Sequence, residues 1–163
     1  MKRTIIFITA LICSIVANAQ EAKDLYNKYS GEKGISAVYI SPAMFKLIGA
    51  LPGLEVDGKG GEKININPFI KSLSGFYLLS TEDSALADKI AADMGKYTKS
   101  GKYELLMEAK ENGEAVRIYA FSKNDIITSL VMNAKDTTSE TFICLQGTIN
   151  RKDLEELITK VAK

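Results

Sequence analysis

Apolar positions along the chain switch between two spacings, and each switch marks an element. Ala22, Leu25, Tyr26 and Tyr29 recur at helical spacing on one face before Gly31 and Gly34 end the run, which predicts a first helix. Ile35 to Ile40 is short, β-branched and aromatic, and predicts a strand. Ser41 and Pro42 then supply an N-cap and a first-turn proline for a helix whose Met44, Leu47, Ile48 and Leu51 share one face. Residues 52–67 hold four of the twelve glycines with mixed charges and little periodicity, and predict a mobile loop. Asn67-Pro68 opens a short helical turn through Leu73, and Gly75 to Ser80 reads as the next strand. Leu86, Ile90, Met94 and Tyr97 then mark one face of a longer helix, capped near Ser80 to Asp83 and stopped by Gly101.

The last third alternates with period two. Asn112-Gly113 is the favoured pair for a two-residue type I′ hairpin turn, and such a turn fixes the register of the strands around it. Pairing Glu111 with Glu114 sets Ala109 opposite Val116, Met107 opposite Ile118 and Leu105 opposite Ala120 on one side. The other side then pairs Glu108 with Arg117 and Leu106 with Tyr119. Residues 126–133 and 141–148 supply two more strands. Asn150 caps a closing helix whose Leu154, Leu157, Ile158 and Val161 are expected to face the core. The pattern as a whole predicts an α+β fold, a largely antiparallel sheet with a C-terminal four-strand meander and helices packed on one face.

The first nineteen residues follow a different logic. Lys2 and Arg3 precede an apolar stretch from Ile5 to Ala17, and Ala17-Asn18-Ala19 has the small-x-small form of a signal cleavage site. Cleavage between Ala19 and Gln20 is therefore expected, leaving a single exported domain over 20–163, periplasmic or secreted. The apolar stretch falls short of the ~20 residues that span a bilayer. Ile12 also stands before Cys13, where a lipoprotein signal requires a small residue, so no stable membrane anchor is expected after processing. Cys144 would then be the only thiol, so the core must stabilise the domain without an internal disulfide.

Composition narrows the chemistry. Over 163 residues the hydrophobic fraction is 46% and the charged fraction 25%, sufficient for one packed soluble domain. Lys+Arg number 21 against 20 Asp+Glu, which lacks the basic excess that phosphate contacts demand, so no nucleic-acid partner is expected. There is no histidine, which removes the commonest general base and the commonest metal ligand together. Ser30-Gly31-Glu32-Lys33 has S-x-x-K spacing, but neither S-D-N nor K-T-G accompanies it. Gly53 to Gly60 falls one residue short of a P-loop, with Gly60 standing where a magnesium-binding hydroxyl belongs. The acidic residues lack EF-hand spacing. No cofactor, metal site or catalytic residue is assigned.

One constellation remains. In the hairpin register, Glu104, Glu108, Arg117 and Tyr119 converge on one sheet face, a surface for a partner protein or small-molecule ligand in the envelope. The same carboxylates beside an arginine could also perform acid–base work, and the ordinary alternative is a solvated, ion-paired face.

The segments YISPAMFKLIGALPG (Tyr39 to Gly53), IKSLSGFYLLS (Ile70 to Ser80), GKYELLMEAKENGEAVRIY (Gly101 to Tyr119) and TFICLQGTI (Thr141 to Ile149) resemble the family known as domain of unknown function 4252. Its members are small exported proteins of the Bacteroidetes lineage, and the resemblance spans the chain beyond the signal. It brings no catalytic residues with it. It implies an envelope regulatory role, because the family's genes often neighbour extracytoplasmic-function sigma factors and membrane anti-sigma partners. In that lineage Asp83-Ser84-Ala85 and Asp136-Thr137-Thr138 also resemble O-glycosylation acceptors, at Ser84 and Thr137. The expectation is a non-catalytic exported binding or regulatory module. The alternatives are a carboxylate-based enzyme, marked by a deep cleft around a perturbed acid, and a carrier of small apolar or lipid ligands, marked by an enclosed apolar cavity. A flat exposed apolar patch marks the binding module.

Overall fold

A computed structural model describes residues 21–57 and 61–161. The expected signal segment, with Cys13 and the Ala19–Gln20 junction, lies outside them, as does the side chain of Val161. Residues 21–29 form helix α1. It is followed by β1 (Ile35–Ile40), α2 (Pro42–Ala50), β2 (Glu55–Asp57), β3 (Lys63–Asn65), α3 (Asn67–Ser72), β4 (Leu73–Thr81) and α4 (Ser84–Thr98). The meander β5 (Glu104–Glu111), β6 (Glu114–Lys123), β7 (Ile126–Lys135) and β8 (Glu140–Asn150) comes next, and α5 (Arg151–Val161) closes the chain. Local chemistry sets the helix starts. Ser41 Oγ accepts from Met44 N at 3.3 Å, Asp83 Oδ1 accepts from Ala85 N at 2.9 Å, and Asn150 Oδ1 accepts from Lys152 N at 2.9 Å.

Six strands form one antiparallel sheet in the order β1-β4-β8-β7-β6-β5. The α+β class and the C-terminal meander are therefore as the periodicity predicts. The helices, however, occupy both faces. Consecutive strand residues point to opposite sides, and both members of such pairs are apolar: Phe76 with Tyr77, and Cys144 with Leu145. On one side α1 and α4 bury Leu25, Ile90 and Met94 against Tyr77, Leu79, Val131 and Phe142. On the other, α2, α3 and α5 bring Phe45, Phe69 and Leu154 onto Phe76, Leu130, Leu145 and Ile149. A strand that is apolar on both sides needs cover on both, which a single layer of helices cannot give.

Three smaller expectations change. The glycine-rich stretch is not one loop, because Val56 pairs with Ile64 in a short hairpin of β2 and β3, and Ile64 is buried. In α2 the stripe of Met44, Leu47 and Leu51 faces outward, and the buried stripe runs through Phe45 and Gly49. Gly49 permits the contact with α3, since a Cβ there would come 2.8 Å from Lys71 Cγ. In α5, Leu154 packs into the core whereas Ile158 stays exposed.

The Asn112-Gly113 turn has positive φ at both positions, 50° and 90°, as a type I′ turn requires. Glu111–Glu114, Ala109–Val116, Glu108–Arg117 and Met107–Ile118 pair in the expected register. Beyond Met107 a bulge at Leu106 inserts one residue, so Leu105 pairs with Tyr119 and Glu104 with Ala120.

Candidate functional site

The hairpin supplies the charged group first. Glu108 Oε2 lies 2.6 Å from Arg117 Nε and Glu108 Oε1 lies 2.8 Å from Lys110 Nζ. Lys110 first, and then Arg117, hold the Glu108 carboxyl below its usual range. Tyr119 shares this side of β6 and packs, half-buried, against the core beneath α1 and α4. Glu104 does not join them. The bulge at Leu106 turns it to the opposite side, where Arg151 Nη2 of α5 sits 3.1 Å from its carboxylate and 3.1 Å from Ser122 Oγ. The expected quartet is thus a trio, and the Glu104 and Glu108 carboxylates are separated by the sheet.

Glu140 is the charged residue that periodicity did not single out, although it shares its side of β8 with Phe142 and Cys144. It has no exposed surface. Its Oε1 accepts from Asn133 Nδ2, and its Oε2 has no partner. Burial pushes the carboxyl up to about 7, against the pull of Lys135 and Arg117. Lys135 is itself held at 2.7 Å by Asp88 of α4, which lies over this end of the sheet. A second buried polar group joins Tyr103 Oη, Ser129 Oγ and Cys144 Sγ, with contacts of 3.5 and 3.4 Å. The Tyr97 hydroxyl is buried without a partner. No group of three or more Cys, Asp or Glu residues among the described ones is arranged to hold a metal ion.

Two of the open clefts among the described residues lie beside the helices. One, of about 290 Å³, lies between β3, α3 and α5, with Ile64, Phe69 and Leu157 on its walls and Asp153 and Glu156 beside them. The other, of about 350 Å³, lies between α1 and α4 around Lys28, Tyr29 and Asp93. There Lys28, Lys96 and Tyr29 all bond the Asp93 carboxylate and hold it far below its usual range. Glu140 lines neither cleft. Ser84 is the exposed first residue of α4, and Thr137 is exposed in the β7–β8 turn. The preceding Asp side chains are engaged in local caps: Asp136 accepts from the Thr138 and Ser139 amides at 2.7 and 2.6 Å.

The largest feature is apolar. The row Ile40–Phe76–Leu145–Leu130–Ala120 runs across the sheet beneath α2, α3 and α5. The next row on that same side is Val38–Leu78–Ile143–Met132–Ile118–Met107. Six apolar side chains from six strands thus lie side by side, and none belongs to either packed core. Val38 and Met107, at its ends, are each 44% exposed, and the four between are half-buried. Beyond it lies a row of smaller residues, Ser36, Ser80, Thr141, Ala134, Val116 and Ala109, in which the Ser80 and Thr141 hydroxyls meet at 3.0 Å. The strands carry two adjacent apolar rows on this side, but the helices pack against only one of them. Periodicity could expose the alternation but not the extent of the cover.

Among the described residues no helix is long and apolar enough to cross a membrane. A protein-family model described as Domain of unknown function (DUF4252) matches residues 29–157, from the end of α1 into α5. Comparison with curated proteins and with solved structures finds no match.

Proposed function

Since the chain belongs to the DUF4252 family, whose description assigns no activity, we propose a function from its surface: a non-catalytic binding module of the cell envelope that receives a partner protein on the uncovered sheet face. The carrying observation is the row Val38–Leu78–Ile143–Met132–Ile118–Met107. A continuous apolar strip left without helices, beside a row against which helices pack, costs solubility, and such strips mark interaction sites. A row spread across six strands suits a protein surface better than a small ligand, which seeks a concave pocket. The signal-like first nineteen residues support an exported location, and the family resemblance favours a regulatory partner from an extracytoplasmic-function sigma pathway. An enzyme reading needs an accessible acid, and Glu140, the strongly raised carboxyl among the described residues, has no exposed surface. A carrier reading needs an enclosed apolar cavity, and the two clefts described are open and carry charged residues.

The test is site-specific photo-cross-linking in a native host. A photoreactive residue at Met132 should give a discrete adduct that the same residue at Lys89, on α4, does not. Ile143→Glu should abolish the adduct while circular dichroism stays unchanged. No adduct from Met132, or one equally strong from Lys89, overturns the reading.

A further inference from the structure

β5 is one edge of the sheet, and all eight of its residues are exposed, including Leu105, Leu106 and Met107. One side of its backbone is paired with β6, and the other meets no strand among the described residues. In a two-residue hairpin closed by Glu111 and Glu114, hydrogen-bonded pairs alternate along the ladder. Glu111, Ala109 and Met107 therefore turn their N–H and C=O toward β6, and Lys110 and Glu108 turn theirs outward. The two residues whose backbones are offered at the edge are thus the two of opposite charge.

From this juxtaposition we propose that β5 pairs with β5 of a second copy of this chain, antiparallel about a dyad at Ala109. Glu108 then faces the partner's Lys110 and Lys110 faces the partner's Glu108, each pair exchanging two backbone hydrogen bonds beneath an ion pair. Other registers fail on charge or geometry. A dyad at Glu108 or Lys110 sets like charges directly opposite. A dyad at Met107 carries the pairing through the bulge at Leu106, where the ladder is disrupted. Residues 107–111 are the regular part of the strand, and Ala109 is their centre. Exposed edges invite pairing unless blunted by charge, bulge or brevity. Here the bulge lies at one end and the lysine is matched by the glutamate two residues away. The dyad stands perpendicular to the sheet, so the uncovered apolar rows of both copies fall on the same side of one continuous sheet. The inference rests on the edge and does not depend on what binds the face.

The test is register-specific cross-linking of the purified protein in a Cys13→Ser background, with Cys144 buried. Ala109 and the partner's Ala109 would form a non-hydrogen-bonded pair with Cα atoms ~4.5 Å apart, within disulfide range. Ala109→Cys should therefore give a covalent dimer under mild oxidation. Met107→Cys, which would face the partner's Glu111, should give little. Sedimentation should show the unmodified chain associating with rising concentration, and Lys110→Glu should weaken this about tenfold without altering the circular dichroism. Met132→Glu, which strikes only the face proposed above, should leave association intact, so the two proposals fail separately. A monomer at every concentration, equal cross-linking from Ala109→Cys and Met107→Cys, or unchanged association of Lys110→Glu overturns the edge pairing.

Discussion

Glu140 and Asn133 meet inside the sheet, the carboxylate accepting from the amide with no water-facing surface on either side of the bond. Lys135 and Arg117 pull toward ionisation, and Asp88 and burial oppose it, with burial dominant and the carboxyl raised to about 7. A raised acid holds its proton in the folded state where the unfolded chain has lost it. Its contribution is therefore fully present below the ordinary glutamate pKa of 4.5 and is lost as pH rises to about 7. Glu140→Gln removes this loss. The variant should match the wild type at low pH and exceed it by up to about 3 kcal/mol at about pH 8. Urea unfolding across the pH range checks this, and a constant difference between the two proteins would contradict it. Asp93 acts in the opposite direction, stabilising above its unfolded pKa and losing that contribution in acid, but it is common to both proteins and cancels.

Gly147 of β8 lies where α3 hands over to β4. A Cβ there would overlap the Ser72 carbonyl oxygen and come 3.1 Å from Leu73 Cα. Both obstacles are backbone and cannot rotate away. Gly147→Ala should therefore cost about 2 kcal/mol or more, measurable as a lower urea midpoint with an unchanged slope. Gly95→Ala, with nothing within 4 Å of the added carbon, should be neutral or stabilising within its helix.

Cys144 is buried, 3.4 Å from Ser129 Oγ, and burial pushes its thiol up to about 12. It should resist thiol reagents in the folded protein and react at once when unfolded in urea. Cys144→Ser should cost about 1 kcal/mol through the added polar group. Fast labelling under native conditions would place the side chain at an opening that its burial excludes.

What could be read from residues and what could not divides along a physical line. Asn112-Gly113 encodes its own positive-φ turn, so the pairing of Glu108 with Arg117 was legible four residues away. The bulge was not, because Leu106 resembles its neighbours and nothing local distinguishes an inserted apolar residue from a paired one. That one residue moved Glu104 off the expected surface. The helical layers were hidden for a related reason: Phe76 and Tyr77 are both apolar, and alternation cannot rank two apolar faces. Glu140 fell just before the strand expected over 141–148 and was not legible as buried, since its burial depends on α4 arriving from a distant part of the chain.

The strand order has a consequence for how the molecule comes into being. Among the described strands β8 is made last, and it lies between β4 and β7, pairing with both. Until it emerges, β1–β4 and β5–β7 are two unconnected fragments, each with an apolar margin and an unpaired edge. Closing the β4–β8 ladder joins residues far apart in the chain, as in Leu78 with Ile143, and such non-local contacts are entropically slow to form. A chain ending before Glu140 should therefore not be a slightly weakened version of this protein but two fragments competing for any extended segment at hand, and the stretch from Glu140 onward acts as the clasp that commits the rest.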